Sequence, residues 1–132
     1  MKKKVTLYSE IDFSRKKFFY YKKSHNFLFL KKKISSVYEN IRKIPKGTVA
    51  LRIDNKLEFL IKFYALNRAN FSIYLTNSKS IKELKREKIN IDYVFRKRKL
   101  YKIKIIKTRK IKNVALILKT SGSTSNSKYV YL

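Results

Sequence analysis

The chain has 132 residues, 44% of them hydrophobic and 33% charged, which supports one folded domain and argues against disorder. Its formal net charge is +27, from 35 Lys and Arg against 8 Asp and Glu. With no cysteine there is no disulfide, no thiol nucleophile and no cysteine-bound metal. Two origins of the charge compete. One is a polyanionic partner, either nucleic acid or an acidic membrane surface. The other is coding bias, because Lys, Ile, Asn, Tyr and Phe share AT-rich codons. Lysine outnumbers arginine 27 to 8, whereas sites that read phosphates or bases favour arginine, so the ratio leans towards bias.

Lys2–Lys4 resembles the start of a signal segment, but Glu10 and Asp12 interrupt before any adequate apolar stretch. No run approaches membrane-spanning length, and the expectation is a cytoplasmic chain without a transmembrane segment. Lys17–Tyr21 and Asn26–Leu30 are aromatic-rich runs separated by Lys22–His25, a pattern that predicts an N-terminal hairpin. The lone His25 has no acidic or histidine neighbour and is expected in a loop, not at a metal. From Leu30 the apolar residues Ile34, Val37, Tyr38, Ile41 and Ile44 recur at helical steps, and Pro45 and Gly47 end the helix. Lys31–Lys33 then falls on its solvated side.

Thr48–Ile53 predicts a strand. Asp54 or Asn55 can cap a helix over about Lys56–Ala69, with Glu58 in its first turn and a Glu58–Lys62 pair on its narrow polar stripe. That helix is apolar almost all round, so it should be covered on most sides. Asn70 suits a left-handed helix end, and Phe71–Leu75 predicts the next strand. Ser80 and Glu83 have capping-box spacing and open a short third helix. Asp92–Phe95, Tyr101–Lys107 and Val114–Leu118 predict further strands, the first two joined by a basic patch at Arg96–Lys99. Strand–helix–strand–helix–strand order argues an α/β fold with a largely parallel sheet flanked by helices.

Lys119–Leu132, reading KTSGSTSNSKYVYL, breaks with the lysine-rich composition before it. Small hydroxylated residues and one glycine lie between two apolar runs, which predicts strand, tight loop, strand. Such a loop offers backbone N–H groups and hydroxyls to an anion, and Lys128 adds a point charge. With only Gly47 and Gly122 in the chain, neither the GxxxxGK phosphate loop nor the GxGxxG dinucleotide fingerprint can be placed. There is no GxSxG nucleophile elbow either.

Thr120-Ser121-Gly122-Ser123-Thr124, followed by Lys128 and Val130, resembles the phosphate-binding signature TSG(S/T)TGxPKGV of the AMP-forming, adenylate-forming ligases. That superfamily comprises acyl-CoA synthetases, peptide-synthetase adenylation domains and luciferases. Val49–Leu75 resembles its strand, long buried helix and second strand, and Ser80–Phe95 its next helix and strand. Ser125, Ser127 and Tyr129 stand where the family has Gly, Pro and Gly. The resemblance implies that ATP, carried with Mg2+, is held by Thr120, Ser121, Gly122, Ser123, Thr124 and Lys128. A carboxylic acid would attack its α-phosphate to give an acyl-adenylate and pyrophosphate.

Family members are several times longer, and their adenosine pocket, acidic ribose ligand, magnesium-binding glutamate and C-terminal catalytic lysine have no counterpart here. The expectation is therefore that residues 1–132 form an incomplete N-terminal part of an adenylation domain. It carries no catalytic residue and is inactive alone, unless a separate chain supplies the remainder. The alternative is a small basic nucleic-acid-binding protein that uses the charge, the aromatics near Phe18–Tyr21 and the Arg96–Lys99 patch.

Overall fold

The structure is a computed structural model and describes residues 17–20, 23–107, 114–120 and 128–132. Strands β1 (Lys17–Tyr20) and β2 (Lys23–Asn26) pair antiparallel, Lys17 opposite Asn26, and form the expected hairpin. Its second strand lies earlier than Asn26–Leu30, however, and His25 belongs to it. Phe27–Ile41 is helix α1. The run FLFL satisfies strand and helix patterning alike, because a short apolar run carries too little periodicity to separate them. What decides is the stripe Leu30, Ile34, Val37 and Ile41, all buried, which extends back one turn to Phe27.

Strand β3 (Thr48–Arg52), helix α2 (Lys56–Arg68) and strand β4 (Ser72–Thr76) form a parallel crossover unit, with Thr48 opposite Ser72 and Arg52 opposite Thr76. Local chemistry sets both ends of α2. Asn55 accepts the Glu58 amide at 3.1 Å as N-cap, and Asp54 supports it by accepting the Asn55 amide at 2.7 Å. At the other end Asn70 takes φ 63, the Phe71 amide donates to Leu66 O at 3.1 Å and the Asn70 amide to Asn67 O at 3.1 Å, a Schellman closure. Helix α3 (Ile81–Leu84) then leads to β5 (Ile91–Arg96), which pairs parallel to the other side of β3. Strand β6 (Lys99–Ile105) returns antiparallel on β5; β7 (Leu116–Thr120) adds parallel to β4, and β8 (Lys128–Tyr131) antiparallel to β7.

The result is a mixed α/β architecture: one sheet of six strands in the order β6-β5-β3-β4-β7-β8, parallel in the centre and antiparallel at both edges. Helices α1 and α2 cover one face, where Ile34, Val37, Ile61, Ala65 and Leu66 meet Val49, Leu51 and Ile73. On the other face Leu84 of α3 and Ile89 pack on Ala50, Tyr74, Ile105 and Ile117. Alternation along β3 and β4 divides the two cores, as the period of two requires. The edges differ. Strand β6 carries Lys99, Lys102 and Lys104, with Lys104 at φ 51 where the register with β5 shifts, features that blunt an edge. Strand β8 exposes Val130 and Tyr131.

Asp92 joins two cores' worth of chain at one point. Its Oδ2 accepts the Thr48 amide at 2.8 Å, holding the first residue of β3 against β5. Beside it, a Cβ on Gly47 would lie 2.6 Å from Asp92 Oδ2 and 2.9 Å from its Cγ. Gly47 therefore serves close approach, not an unusual φ. Gly47→Ala should push the carboxylate off the Thr48 amide and destabilise the fold by about 1–3 kcal/mol, the cost typical of overpacking. A lowered urea midpoint with an unchanged slope would show it, whereas a midpoint equal to wild type would mean that Asp92 yields freely.

Candidate functional site

In a sheet of this kind ligands collect outside the carboxyl ends of the parallel strands, where successive crossovers leave to opposite faces. Here α2, following β3, lies on one face and α3, following β4, on the other. Between those strand ends opens a crevice of about 500 Å³. Arg52, Lys62, Lys79, Arg96 and Lys97 line it with a single acid, Asp54, and Thr76, Ser78 and Ser80 contribute hydroxyls. Five cations facing one carboxylate give an electropositive hollow, which suits an anionic ligand.

Several of these cations are held in place. Arg52 Nε lies 3.5 Å from Asp54 Oδ2, Lys62 Nζ sits 5.3 Å from the Phe95 ring centroid, and the Arg96 guanidinium carbon 5.2 Å from that of Tyr101. Lys97 takes φ 56, a left-handed conformation that costs a side-chain-bearing residue about 1–2 kcal/mol. The turn is fixed next door. Arg98 grips Glu58 of α2 with two hydrogen bonds, Nη2 to Oε1 at 2.7 Å and Nε to Oε2 at 3.3 Å. Lys62 still acts on Glu58 through its charge, as the i,i+4 spacing implies, but the direct contact goes to Arg98 across the fold, since bidentate arginine outcompetes a lysine point charge.

The two stems of the sequence-derived loop, ending at Thr120 and Lys128, come to the same edge of the sheet. In β4 and β7, Ile73 faces Leu116 and Tyr74 faces Ile117, and Thr120 is the last residue of β7, so the strand reaches the hairpin at the carboxyl end of the parallel strands. Thr120 and Lys128 are opposite each other at the mouth of the β7–β8 hairpin. The Thr120 hydroxyl closes that mouth, donating to Lys128 O at 2.9 Å and accepting the Lys128 amide at 3.3 Å. Its oxygen is engaged with the hairpin itself, while Lys128 is exposed and its side chain forms no ion pair among the described residues. Ser121, Gly122, Ser123 and Thr124 lie outside the described residues, as do Ser125 and Ser127. Tyr129 is in β8 with ordinary strand backbone, so replacing a glycine there carries no left-handed penalty.

One acid approaches the hairpin. Glu87, in the link from α3 to β5, accepts the Tyr129 hydroxyl at 2.8 Å and pairs with Lys119 Nζ at 3.1 Å. Burial pushes its carboxyl up, but Tyr129 and Lys119 outweigh that and hold it below the usual carboxylate range. Burial, chiefly, raises the Tyr129 and Tyr74 phenols, so both remain protonated at neutral pH. Among the described residues no three His, Asp or Glu side chains gather where they could share a metal ion, and no helix is long and apolar enough to cross a membrane.

Of the Arg96–Lys99 patch, Arg96 and Lys97 line the crevice, while Arg98 faces Glu58. Arg52 and Lys79 were not legible as site residues. Their signal is positional, a cation directly at or after the carboxyl end of a predicted parallel strand. No protein-family profile matches the chain, and no curated protein matches it.

The Glu58–Arg98 pair sets an acid limit. The Arg98 hydrogen bond holds the Glu58 carboxyl below its usual range; partial burial opposes this, and the charges of Arg98, Lys62 and Lys33 add to it. A carboxyl depressed in the folded state stabilises the fold above its unfolded value, and that contribution is lost as pH falls through the folded one. With side chains 38% and 32% exposed, the pair is worth about 1 kcal/mol at most. Urea midpoints measured from neutral pH into the acid range should therefore fall more steeply for wild type than for Glu58→Gln. Parallel curves would show that the pair contributes nothing.

Proposed function

We propose that this chain carries the ATP phosphate-binding part of an adenylate-forming acid ligase. In such an enzyme a carboxylate attacks the α-phosphorus of ATP, the bond to the bridging oxygen breaks, and pyrophosphate leaves as the acyl-adenylate forms. The chain's task is to hold the β- and γ-phosphates, whose charge rises as they leave. The observation that carries this reading is the placement of the Thr120/Lys128 hairpin mouth at the carboxyl edge of a parallel sheet, beside a cation-lined crevice.

The chemistry of the place fits polyphosphate. Lys128 is exposed at the loop's far stem, the adjacent Glu87 is neutralised by Lys119, and further cations stand along the same edge. In this reading the 121–124 segment supplies backbone N–H groups and hydroxyls to the phosphates, as its composition suits. Magnesium would arrive on the phosphates and neutralise part of their charge. The described acids each already have a polar or charged partner.

Calorimetric titration at physiological salt tests it. MgATP and inorganic tripolyphosphate should compete for one site and AMP should bind more weakly. Lys128→Ala should lose about tenfold in MgATP affinity, the equivalent of one charge-assisted contact, while Lys43→Ala, at an exposed lysine in the turn between α1 and β3, loses nothing. Equal affinity for AMP and ATP, or equal losses at Lys43 and Lys128, would leave only non-specific attraction to a basic surface. In that event tight nucleic-acid binding with a steep log-linear salt slope would favour the nucleic-acid alternative.

A further inference from the structure

We infer that Glu87 is a positioning residue for Lys128, a single carboxylate that clasps both stems of the β7–β8 hairpin one residue pair below its mouth. The inference rests on the phosphate-binding reading of that hairpin and assigns a role to residues outside the loop. Lys119 and Tyr129 are directly opposite in the β7–β8 register, next to the Thr120/Lys128 pair. Each reaches the same acid. Lys119 Nζ lies 3.1 Å from Glu87 Oε2 and 3.4 Å from Oε1, and the Tyr129 hydroxyl donates to Oε2 at 2.8 Å.

A second contact completes the clasp. The Tyr129 oxygen also accepts the Lys88 amide at 2.9 Å, so the phenol is held by both the side chain and the backbone of one segment. Beneath it the Tyr129 ring packs 6.0 Å from that of Tyr74, a residue almost wholly buried in β4. The Glu87 side chain is 12% exposed and Lys119 is 40% exposed, so the carboxylate is the enclosed partner and the ammonium the flexible one. Among the described residues strand β8 has no neighbour beyond β7, and its backbone bonds alone would leave its stem free to splay. Glu87 ties that stem to the α3–β5 link and therefore to the centre of the sheet. It is also why a tyrosine can stand at 129 where the resembled signature has glycine.

The clasp predicts an effect opposite in sign to simple charge. Removing a carboxylate near an anion site should tighten anion binding by electrostatics alone. If Glu87 holds Lys128 in place, Glu87→Ala weakens MgATP binding instead, by about tenfold, the loss of one held cation. Glu87→Gln, whose amide oxygen still accepts from Tyr129, should recover much of that loss. Tyr129→Phe keeps the ring and removes only the hydroxyl, so it carries the test if Glu87→Ala fails to fold.

Titrations of the full chain with MgATP, with Tyr129→Phe combined with Lys128→Ala, separate positioning from general loosening. Positioning through Lys128 requires that Tyr129→Phe cost about tenfold alone and almost nothing once Lys128 is alanine. Amide exchange at Thr120 and Lys128 should quicken in Tyr129→Phe while β3 and β4 stay protected. Equal or tighter MgATP binding by Glu87→Ala and Tyr129→Phe, or losses that add fully to Lys128→Ala, would overturn the clasp and leave the phosphate reading standing. Absence of MgATP binding by the wild-type chain would instead remove that reading, and the clasp's role with it.

Discussion

The fold depends on helix α2 being enclosed. Its apolar residues point in nearly every direction, so the sheet alone cannot cover them and a second helix must pack alongside. Helix α1 supplies that flank through Leu30, Ile34, Val37 and Ile41, which share one core with α2 and the sheet. Once α2 is held against both, β3 and β4 must run parallel, since the crossover returns the chain to the same end of the sheet. The carboxyl ends of those strands then share one edge, and β5 and β7 join the same direction. The crevice and the hairpin mouth are neighbours because of that shared polarity.

Acid is scarce in this chain, and the scarcity orders the electrostatics. The six described acids each make a defined contact. Asp92 holds the Thr48 amide, Glu58 the β5–β6 turn through Arg98, and Glu87 the β7–β8 hairpin. Glu83 accepts the Lys79 amide at 2.8 Å and so caps α3, while Asp54 and Glu39 pair with Arg52 and Arg42. Three of these connect segments about forty residues apart in sequence. With so many cations left over, the electropositive edge is a remainder of this allocation as much as a purpose-built surface.

What could be read from the sequence was local. Asn55 as a cap, Asn70 in a left-handed helix end and Ser80 with Glu83 at α3 follow from short-range hydrogen bonding, and the structure has all of them. The α/β class followed from element order. The start of α1 was not legible, because FLFL fits either period until its tertiary partners are known. Nor was Arg98 as the partner of Glu58, since a neighbour at i+4 is visible in sequence and one across the fold is not. The loop at Lys119–Leu132 stood out through a change of composition alone. Its tie to Glu87 lies beyond any local pattern, and the crevice cations come from strand ends far apart in the chain.

The order of strands also bears on how the sheet assembles. Both edges are hairpins, β5–β6 and β7–β8, whose partners follow each other in sequence, whereas β3 must find β5 across an intervening strand and two helices. Short loops close far faster than long ones, and non-local parallel pairing is slow. The rims of the sheet can thus form before its middle, leaving apolar centre strands uncovered for the longest interval. Mutual repulsion among chains of net charge +27 is strongest in its effect during that interval, when it opposes intermolecular pairing of the exposed strands. A charge that the finished fold must merely tolerate is, on the way there, a safeguard.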